Sequence, residues 1–115
     1  MEIKIVRGRI SRKELAEIAG AGFGDMVKAV VDVAQGIMAI GGELHADEEV
    51  VLTEQCGSQR ENTWGINFYP QKEGADWIEF NSMVNIKPAH GNRSRNVEDE
   101  ATRKKIVAVV GKLVL

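Results

Sequence analysis

The segment MVKAVVDVAQGIMAI, residues 26–40, carries the clearest local signal in the sequence, and it predicts a β-hairpin. Residues 26–33 alternate between apolar and other side chains, as a strand with one buried face does. One face collects Val27, Ala29, Val31 and Val33, and the opposite face includes Lys28 and Asp32. The next three residues predict a turn, and residues 37–40 predict the returning strand. One long helix over residues 25–40 is the alternative, which Gly36 and the valine content disfavour because both lower helix propensity.

Upstream of the hairpin, the sequence predicts a short strand and a capped helix. Residues 2–7 alternate between charged and apolar side chains, which is typical of a strand. Ser11 and Glu14 have the spacing of a capping box, in which each side chain accepts a hydrogen bond from the other residue's backbone N–H. A helix is therefore expected over residues 12–20, ending at the glycines that follow.

Downstream of the hairpin, two glycines at 41–42 break the strand, and a second helix is expected over residues 46–56. The acidic run 47–49 lies where the positive end of a helix dipole favours negative charge. Gly57 provides the end of this helix. A strand over residues 50–53 is the alternative.

Two later segments predict a second antiparallel hairpin. In residues 64–69, large apolar side chains alternate with small or polar ones, which indicates a strand. Residues 77–86 predict its partner, after a polar connection over residues 70–76. One face of the partner would hold Ile78, Phe80, Ser82, Val84 and Ile86, and the other Trp77, Glu79, Asn81, Met83 and Asn85. Pro88 is expected to close the hairpin.

The last part of the chain predicts a third helix, capped by Asn96. The acidic residues 98–100 would fill its first turn. Its buried stripe would consist of Ile106, Val109, Val110 and Leu113. The element order is then β-α-β-β-α-β-β-α. This order predicts an α+β fold, with a mixed, mainly antiparallel sheet of about five strands packed with three helices.

Length, charge and cysteine content narrow the class of protein. The 115 residues predict a single domain over 1–115, and the net charge of −2 does not favour nucleic-acid binding. The single cysteine, Cys56, cannot form an internal disulfide, which fits a reducing compartment. The sequence shows neither a signal-peptide pattern nor a run of about 20 apolar residues. We therefore expect a cytoplasmic protein without a membrane partner.

Polar residues concentrate in three clusters, and the first contains Glu43, His45 and Asp47. In an extended segment these three side chains would point the same way. Glu43 and His45 would then suit acid–base catalysis, and Asp47 would complete a set of ligands for a divalent metal ion. The structural alternative is that Asp47 caps the second helix while His45 hydrogen-bonds to backbone. The spacing matches no standard metal motif, so no cofactor is predicted.

The second cluster lies on the predicted second hairpin, where Asn67, Glu79 and Asn85 would share a polar sheet face with Asn81. Asparagine is disfavoured in strands, so several on one face suggest hydrogen bonding to a fixed partner. Asn67, Glu79 and Asn85 are therefore candidate ligand-binding residues. An ordinary solvent face is the alternative.

The third cluster, Arg93, Ser94 and Arg95, directly precedes the predicted third helix. Backbone N–H groups at a helix start favour an anion, and arginine offers forked donors to phosphate or carboxylate. We therefore expect these three residues to contact a small anionic ligand. The alternative is that an arginine pairs with an acidic side chain, such as Glu79 or Glu43, and orders the loop.

The clusters belong to a longer ordered pattern. It comprises residues 41–47, 64–70, 77–88 and 92–95, together with Phe23-Gly24, residues 26–32 and the final helix. Together these segments resemble a family of small prokaryotic proteins catalogued only as a domain of unknown function. The resemblance implies a compact stand-alone domain over nearly the whole chain. It transfers no activity and no catalytic residue.

The sequence thus favours a small ligand-binding or accessory protein with an anion-recognising polar surface, and it allows a homodimer. The alternative is a small metal-dependent hydrolase that acts on a phosphoester. In that hypothesis Glu43, His45 and Asp47 would hold a metal ion while Arg93 and Arg95 hold the phosphate. It requires His45 and the arginines to share one cleft, because catalytic groups act within hydrogen-bond reach.

Overall fold

A computed structural model describes residues 2–115, and this part of the chain contains three α-helices and five strands. In chain order they are β1 Lys4–Val6, α1 Arg12–Ala21, β2 Val27–Asp32, β3 Ile37–Ile40, α2 His45–Cys56, β4 Thr63–Phe68, β5 Ile78–Glu79 and α3 Glu100–Leu113. Short 3₁₀ helices lie in the connections at Arg60–Asn62, Gly74–Trp77, Met83–Asn85 and Pro88–His90. The order β-α-β-β-α-β-β-α confirms the predicted α+β fold.

The five strands form one sheet in the order β1-β3-β2-β4-β5, and each neighbouring pair is antiparallel. The central pair β2–β3 is the hairpin predicted for residues 26–40. Asp32 holds its turn, since Oδ1 accepts from the backbone N–H groups of Ala34 and Gln35 at 2.9 and 3.1 Å. Gly36 closes the turn with a φ of +68°, a conformation that favours glycine.

Helices α1 and α3 cover one face of the sheet and enclose the larger apolar core. Its buried members include Leu15, Ala19, Val27, Ala29, Val31, Met38, Ile40, Ile66, Phe68, Ile106, Val110 and Leu113. Helix α1 has the predicted N-cap, because Ser11 Oγ accepts from the backbone N–H of Glu14 at 3.1 Å. Within residues 2–115, none of the helices is long and apolar enough to cross a membrane.

Helix α2 and the turn Met83–Asn85 cover the opposite face, which holds most of the polar interior. The apolar core on this side is small and consists of Val30, Ile37, Ala39, Leu52 and Val84. The buried polar side chains are Asp32, His45, Glu48, Glu49, Ser58, Thr63, Asn67, Ser82, Asn85, Lys87 and Asn92. Buried polar groups require hydrogen-bond partners, so this face is where a polar site is built.

The predicted strand over residues 77–86 is wrong beyond its first residues. The hairpin with β4 forms, with Asn67 opposite Glu79, but β5 ends at Glu79. Beyond it, the Asn85 side chain pairs with the backbone of Gly65 in place of a strand, at 2.7 Å to N and 2.9 Å to O. The predicted alternation of faces therefore stops after β5, and the residues that follow form a 3₁₀ turn.

The start of the last helix also differs from the prediction. Asp99, rather than Asn96, is the N-cap of α3, and its Oδ2 accepts from the backbone N–H of Thr102 at 3.0 Å. The segment before Asp99 is fixed in a non-helical loop, because Asn92 Nδ2 donates to the carbonyl of Asn96 at 2.7 Å. The chain therefore cannot enter the helix until three residues later than expected.

Candidate functional site

Five polar residues meet at the end of the sheet where β2 begins and β4 ends. We call Lys28, His45, Glu48, Asn67 and Glu79 the sheet-end cluster. Lys28 lies opposite Asn67, and Asn67 lies opposite Glu79, in the register of β2, β4 and β5. Directly opposed residues share a face of the sheet. His45 and Glu48 come from the first turn of α2, which packs on that face.

His45 is a buried, neutral histidine. Its Nε2 lies 2.9 Å from the carbonyl oxygen of Ile66. A carbonyl can only accept, so Nε2 carries the hydrogen and Nδ1 keeps its lone pair. Burial lowers the pKa of His45, the Ile66 hydrogen bond opposes this, and the charge of Lys28 lowers the pKa further. Arg95 lowers it as well, although less, so both cations lie close enough to act on this ring.

Glu48 is fully buried and holds a proton at neutral pH. Its Oε2 accepts from the backbone N–H of Gly42 at 2.9 Å, and its Oε1 has no partner in residues 2–115. Burial raises its pKa to about 9, against the lowering effects of the Gly42 hydrogen bond and Lys28. The proton therefore lies on Oε1, which becomes a donor. A Cβ at Gly42 would lie 3.0 Å from the Glu48 Cγ, so only glycine fits here without displacement.

Asn67 connects the cluster to β5. Its Nδ2 donates to Glu79 Oε1 at 2.8 Å and to the Asn81 carbonyl at 3.2 Å. Its Oδ1 is buried and accepts no hydrogen bond of standard geometry in the described part of the chain, but the Asn67 side chain raises the pKa of His45 by accepting from the protonated ring, so the two side chains are in contact. Tyr69 also donates to Glu79 Oε1, at 3.2 Å, and burial and the Glu79 carboxylate raise the pKa of that phenol. The structure therefore brings together two of the residues predicted for the polar sheet face.

A partly open cavity of about 460 Å³ adjoins the cluster. Most of its wall is apolar, formed by Ile3, Ile18, Ala21, Phe23, Met26 and Val27, and the polar side chains in it are Glu2, Lys4 and Lys28. Two residues link the cavity to the sheet-end cluster. Lys28 belongs to both, and Gly42 lines the cavity while its backbone N–H donates to Glu48. The Lys28 ammonium lies 5.1 Å from the centroid of the Phe23 ring. It forms no ion pair within residues 2–115, whereas Lys4 lies 3.7 Å from Glu14.

The expected convergence of Glu43, His45 and Asp47 is not found. His45 is the first residue of α2, one position earlier than predicted, so the three residues do not alternate along an extended segment. Glu43 and Asp47 are exposed, whereas His45 is buried. Residues 2–115 contain no group of three or more His, Cys, Asp or Glu side chains that could hold a metal ion. The geometric basis for Glu43 as a catalytic residue and Asp47 as a metal ligand is therefore absent.

The loop that carries Arg93, Ser94 and Arg95 binds a carboxylate of the protein itself. Glu98 Oε2 accepts from the backbone N–H of Arg93 at 3.0 Å and from Ser94 Oγ at 2.7 Å. The Ser94 hydroxyl, followed by the Arg93 N–H, lowers the pKa of Glu98. The loop also ends before α3 starts at Glu100, so these three residues do not lie at the helix start that the anion prediction assumed. Both arginine side chains are exposed, and of the two only Arg95 acts on His45.

The Asn85 side chain makes hydrogen bonds only to backbone groups in the described part of the chain. Its Oδ1 accepts from Gly65, and its Nδ2 donates to the carbonyl groups of Gly65 and Arg95, both at 2.9 Å. Neither polar atom of this side chain is left without a partner, and the residue is fully buried. Its expected role in ligand binding therefore has no support in the geometry.

Sequence reasoning missed a second buried group of charges, on the far side of α2. Lys87 Nζ donates to the Val84 carbonyl at 2.8 Å and lies 3.9 Å from Glu49 Oε2. Glu49 also accepts from Arg60 at 3.2 Å and from Thr63 at 2.7 Å. Burial lowers the pKa of Lys87, and the Glu49 charge opposes this. These groups satisfy one another, so the network ties α2 to the sheet and leaves no atom for a ligand.

Glu48 was also missed, and the sequence contains a weak signal for it. Its position three residues after His45 places both on the same side of a helix, so a buried His45 implies a buried Glu48. The acidic run 47–49 instead suggested a solvated first turn. Which of the three carboxylates faces inward depends on the packing of α2 on the sheet.

Comparison with models of protein families gives a match. The model of the family described as "Protein of unknown function (DUF5674)" matches residues 4–113. No curated protein and no solved structure matches the chain.

Proposed function

Because the chain belongs to the DUF5674 family, whose function is unknown, we propose a function from its own geometry: it binds a small molecule that combines an apolar body with an anionic group. One observation carries the proposal. The ammonium of Lys28, which has no carboxylate partner in residues 2–115, lies in the wall of a mainly apolar cavity.

The size and lining of the cavity support a small-molecule ligand. Ligand sites are usually concave, about 300–1,000 Å³ in volume, and mostly apolar with a few placed polar groups. The volume of about 460 Å³ is within this range. Side chains of Ile18, Phe23 and Met26 offer apolar contact, and Lys28 offers a charged donor.

The charges around the cavity favour an anion. Two lysines, Lys4 and Lys28, and one carboxylate, Glu2, line it, and Lys28 has no ion-pair partner in the described chain. His45 itself is neutral, so it does not repel Lys28. The carboxylate of Glu79 already accepts hydrogen bonds from Asn67 and Tyr69, which disperse its charge. A charge-assisted hydrogen bond to Lys28 is the strongest single contact that a ligand could gain here.

The test uses 8-anilinonaphthalene-1-sulfonate, an apolar anion whose fluorescence rises when it is bound. We expect saturable binding to the wild type and about tenfold weaker binding to Lys28→Met, which keeps the apolar stem but loses the charge. Lys104→Met, at an exposed position of α3, is the matched control and should bind like the wild type. Ala21→Trp should fill the cavity and abolish binding, since Ala21 is an exposed part of its wall. Equal affinities for Lys28→Met and Lys104→Met would refute the proposal.

A further inference from the structure

The ring of His45 lies between two hydrogen-bond acceptors. Its Nε2 donates to the Ile66 carbonyl at 2.9 Å, and the Asn67 side chain is the second acceptor. Asn67 uses its amide N–H groups on Glu79 and on the Asn81 carbonyl, so it can offer only Oδ1 to the ring. A neutral imidazole has one N–H, and here the Ile66 carbonyl accepts from it. While His45 is neutral, the buried Oδ1 therefore has no donor in residues 2–115.

A second N–H on this ring would complete both hydrogen bonds. An imidazolium has two N–H groups, so one would stay on the Ile66 carbonyl and the other would donate to Asn67 Oδ1. Buried polar atoms in proteins are nearly always hydrogen-bonded. The unpartnered Oδ1 thus indicates that the cluster can accommodate one more proton. A buried water is the competing donor, since such waters satisfy polar atoms in many proteins.

Burial and positive charge keep this proton off the ring. Burial is the largest cause of the lowered pKa of His45, and charge repulsion from Lys28, followed by Arg95, lowers it further. Lys28 lies on β2, directly opposite Asn67 and on the face of the sheet that α2 covers. Arg95 lies in an exposed loop, where water and salt screen its charge. Lys28 is thus the cation through which the cavity can influence His45.

The elements that contact α2 carry few other titratable groups. Helix α2 packs on β2, β3 and the turn Met83–Asn85, and His45 also contacts β4. The titratable side chains of these elements are Lys28 and Asp32, both on β2. Asp32 lies at the other end of that strand, where Ser58, just beyond the C-terminal end of α2, donates to it at 2.6 Å. Of the two, only Lys28 is therefore placed to act on His45.

The nearby carboxyl groups do not offset the cations. Glu48, one turn along α2 from His45, holds its proton at neutral pH because burial raises its pKa to about 9. Asp47 is exposed, and Glu49 already pairs with two cations of the protein. Glu79, on β5, already accepts from two neighbouring side chains. In the described chain, the charges that act on the His45 ring are those of the two cations.

We infer that anion binding in the cavity is coupled to the uptake of a proton by His45. Lys28 belongs both to the cavity wall and to the sheet-end cluster, so an anion that pairs with it offsets the positive charge that repels a proton from the ring. Coupling between two binding events is reciprocal, so the protonated ring in turn favours the bound anion. This inference rests on the proposed function and adds its regulation, because the affinity for the anion then rises as the pH falls.

The first experiment is an NMR titration of the His45 ring with and without saturating 8-anilinonaphthalene-1-sulfonate. It uses the His90→Gln variant, because the chain has two histidines and His90 is exposed and outside the cavity wall. We expect the pKa of His45 to be higher in the complex than in the free protein, because the bound anion stabilises the imidazolium. With Ala21→Trp added to fill the cavity, the sulfonate should leave that pKa unchanged.

The second experiment measures the affinity for the same sulfonate at pH 5.5, 6.5 and 7.5, a range in which the sulfonate stays ionised. His45→Gln keeps an N–H for the Ile66 carbonyl but cannot take up a proton. From pH 7.5 to pH 5.5 we expect the affinity of the wild type to rise at least about twofold more than that of His45→Gln. His90→Gln is the matched control and should follow the wild type. The remaining titratable groups are common to these proteins and cancel in the comparison.

The outcomes separate this inference from the proposed function. The same pKa of His45 in the free and the saturated protein would mean that no proton is taken up, and would overturn the inference while the apolar anion site stands. Equal pH dependence in His45→Gln and His90→Gln, or a pKa change that persists with Ala21→Trp, would also overturn it. The NMR comparison of free and bound protein keeps His45, so it remains decisive if His45→Gln fails to fold. Binding that does not depend on Lys28, or no binding at all, would reject both proposals.

Discussion

Replacing Glu48 with glutamine should stabilise the protein at neutral pH, by an amount that depends on pH. An unfolded glutamate ionises near pH 4.5, whereas folded Glu48 keeps its proton to about pH 9. Between these values unfolding releases a proton, so the wild type loses about 1.4 kcal/mol of unfolding free energy per pH unit from this group. At pH 7 the accumulated loss is about 3 kcal/mol. The glutamine variant has no such proton to release.

The assay is urea denaturation at pH 5, 6, 7 and 8, followed by circular dichroism. The difference in unfolding free energy between Glu48→Gln and wild type should grow in favour of the variant as the pH rises. The contributions of the other titrating groups, including His45, cancel in that difference. Glu54→Gln, at an exposed position of the same helix, is the control and should run parallel to the wild type. A difference for Glu48→Gln that stays constant from pH 5 to pH 8 would show that Glu48 is ionised in the folded protein.

Three further outcomes follow from the local geometry. Ser11→Ala should lower the unfolding free energy by about 1 kcal/mol through loss of the α1 cap, and an unchanged denaturation midpoint would contradict that cap. Gly65→Ala should destabilise strongly because the new Cβ would lie 2.4 Å from the Ser82 Cβ, and Ser82→Gly should restore part of the loss in the double variant, as thermal melting can show. In an NMR titration His45 should show a pKa below 6.5, and Lys28→Met should raise it. Because the unfolded chain binds a proton at His45 more readily than the folded protein does, the unfolding free energy should decrease as the pH falls below 6.5. A measured His45 pKa above 6.5 would contradict the burial of a neutral imidazole.

The sequence pattern predicted the structure correctly where the residues that determine it are close together in the sequence. The hairpin over residues 26–40 follows from alternation and a turn that its own Asp32 and Gly36 close. The cap of α1 follows from two residues three positions apart. These features need no information from distant parts of the chain.

The failures have a different cause, which is a hydrogen bond from a side chain to backbone. The strand expected over residues 77–86 is cut short where Asn85 pairs with Gly65, twenty positions away. The cap at Asn96 is lost because Asn92, four positions earlier, holds the loop that precedes the helix. Neither propensity nor alternation describes such hydrogen bonds.

The candidate site was predicted in part. Asn67 and Glu79 were placed together correctly because strand register follows from alternation. His45 reaches the same place from α2, with Nε2 on the Ile66 carbonyl. The role of Glu48 could not be predicted, because its proton depends on burial that only the packed helix creates. The cavity has the same origin, since its wall combines residues from β1, α1 and the start of β2.

The pairing of Asn85 with Gly65 also bears on how the protein behaves when it is crowded. The carboxamide of asparagine has the same donor and acceptor as a peptide group. A single such side chain can therefore occupy the backbone N–H and C=O of an edge strand, which would otherwise be free to pair with a strand from another molecule. Strand β5 is only two residues long and leaves the Gly65 part of β4 for Asn85 to close. The opposite edge is β1, a three-residue strand flanked by the exposed Arg7. Asn85→Ala would thus open a templating surface, and a shorter lag before fibril growth would be its signature.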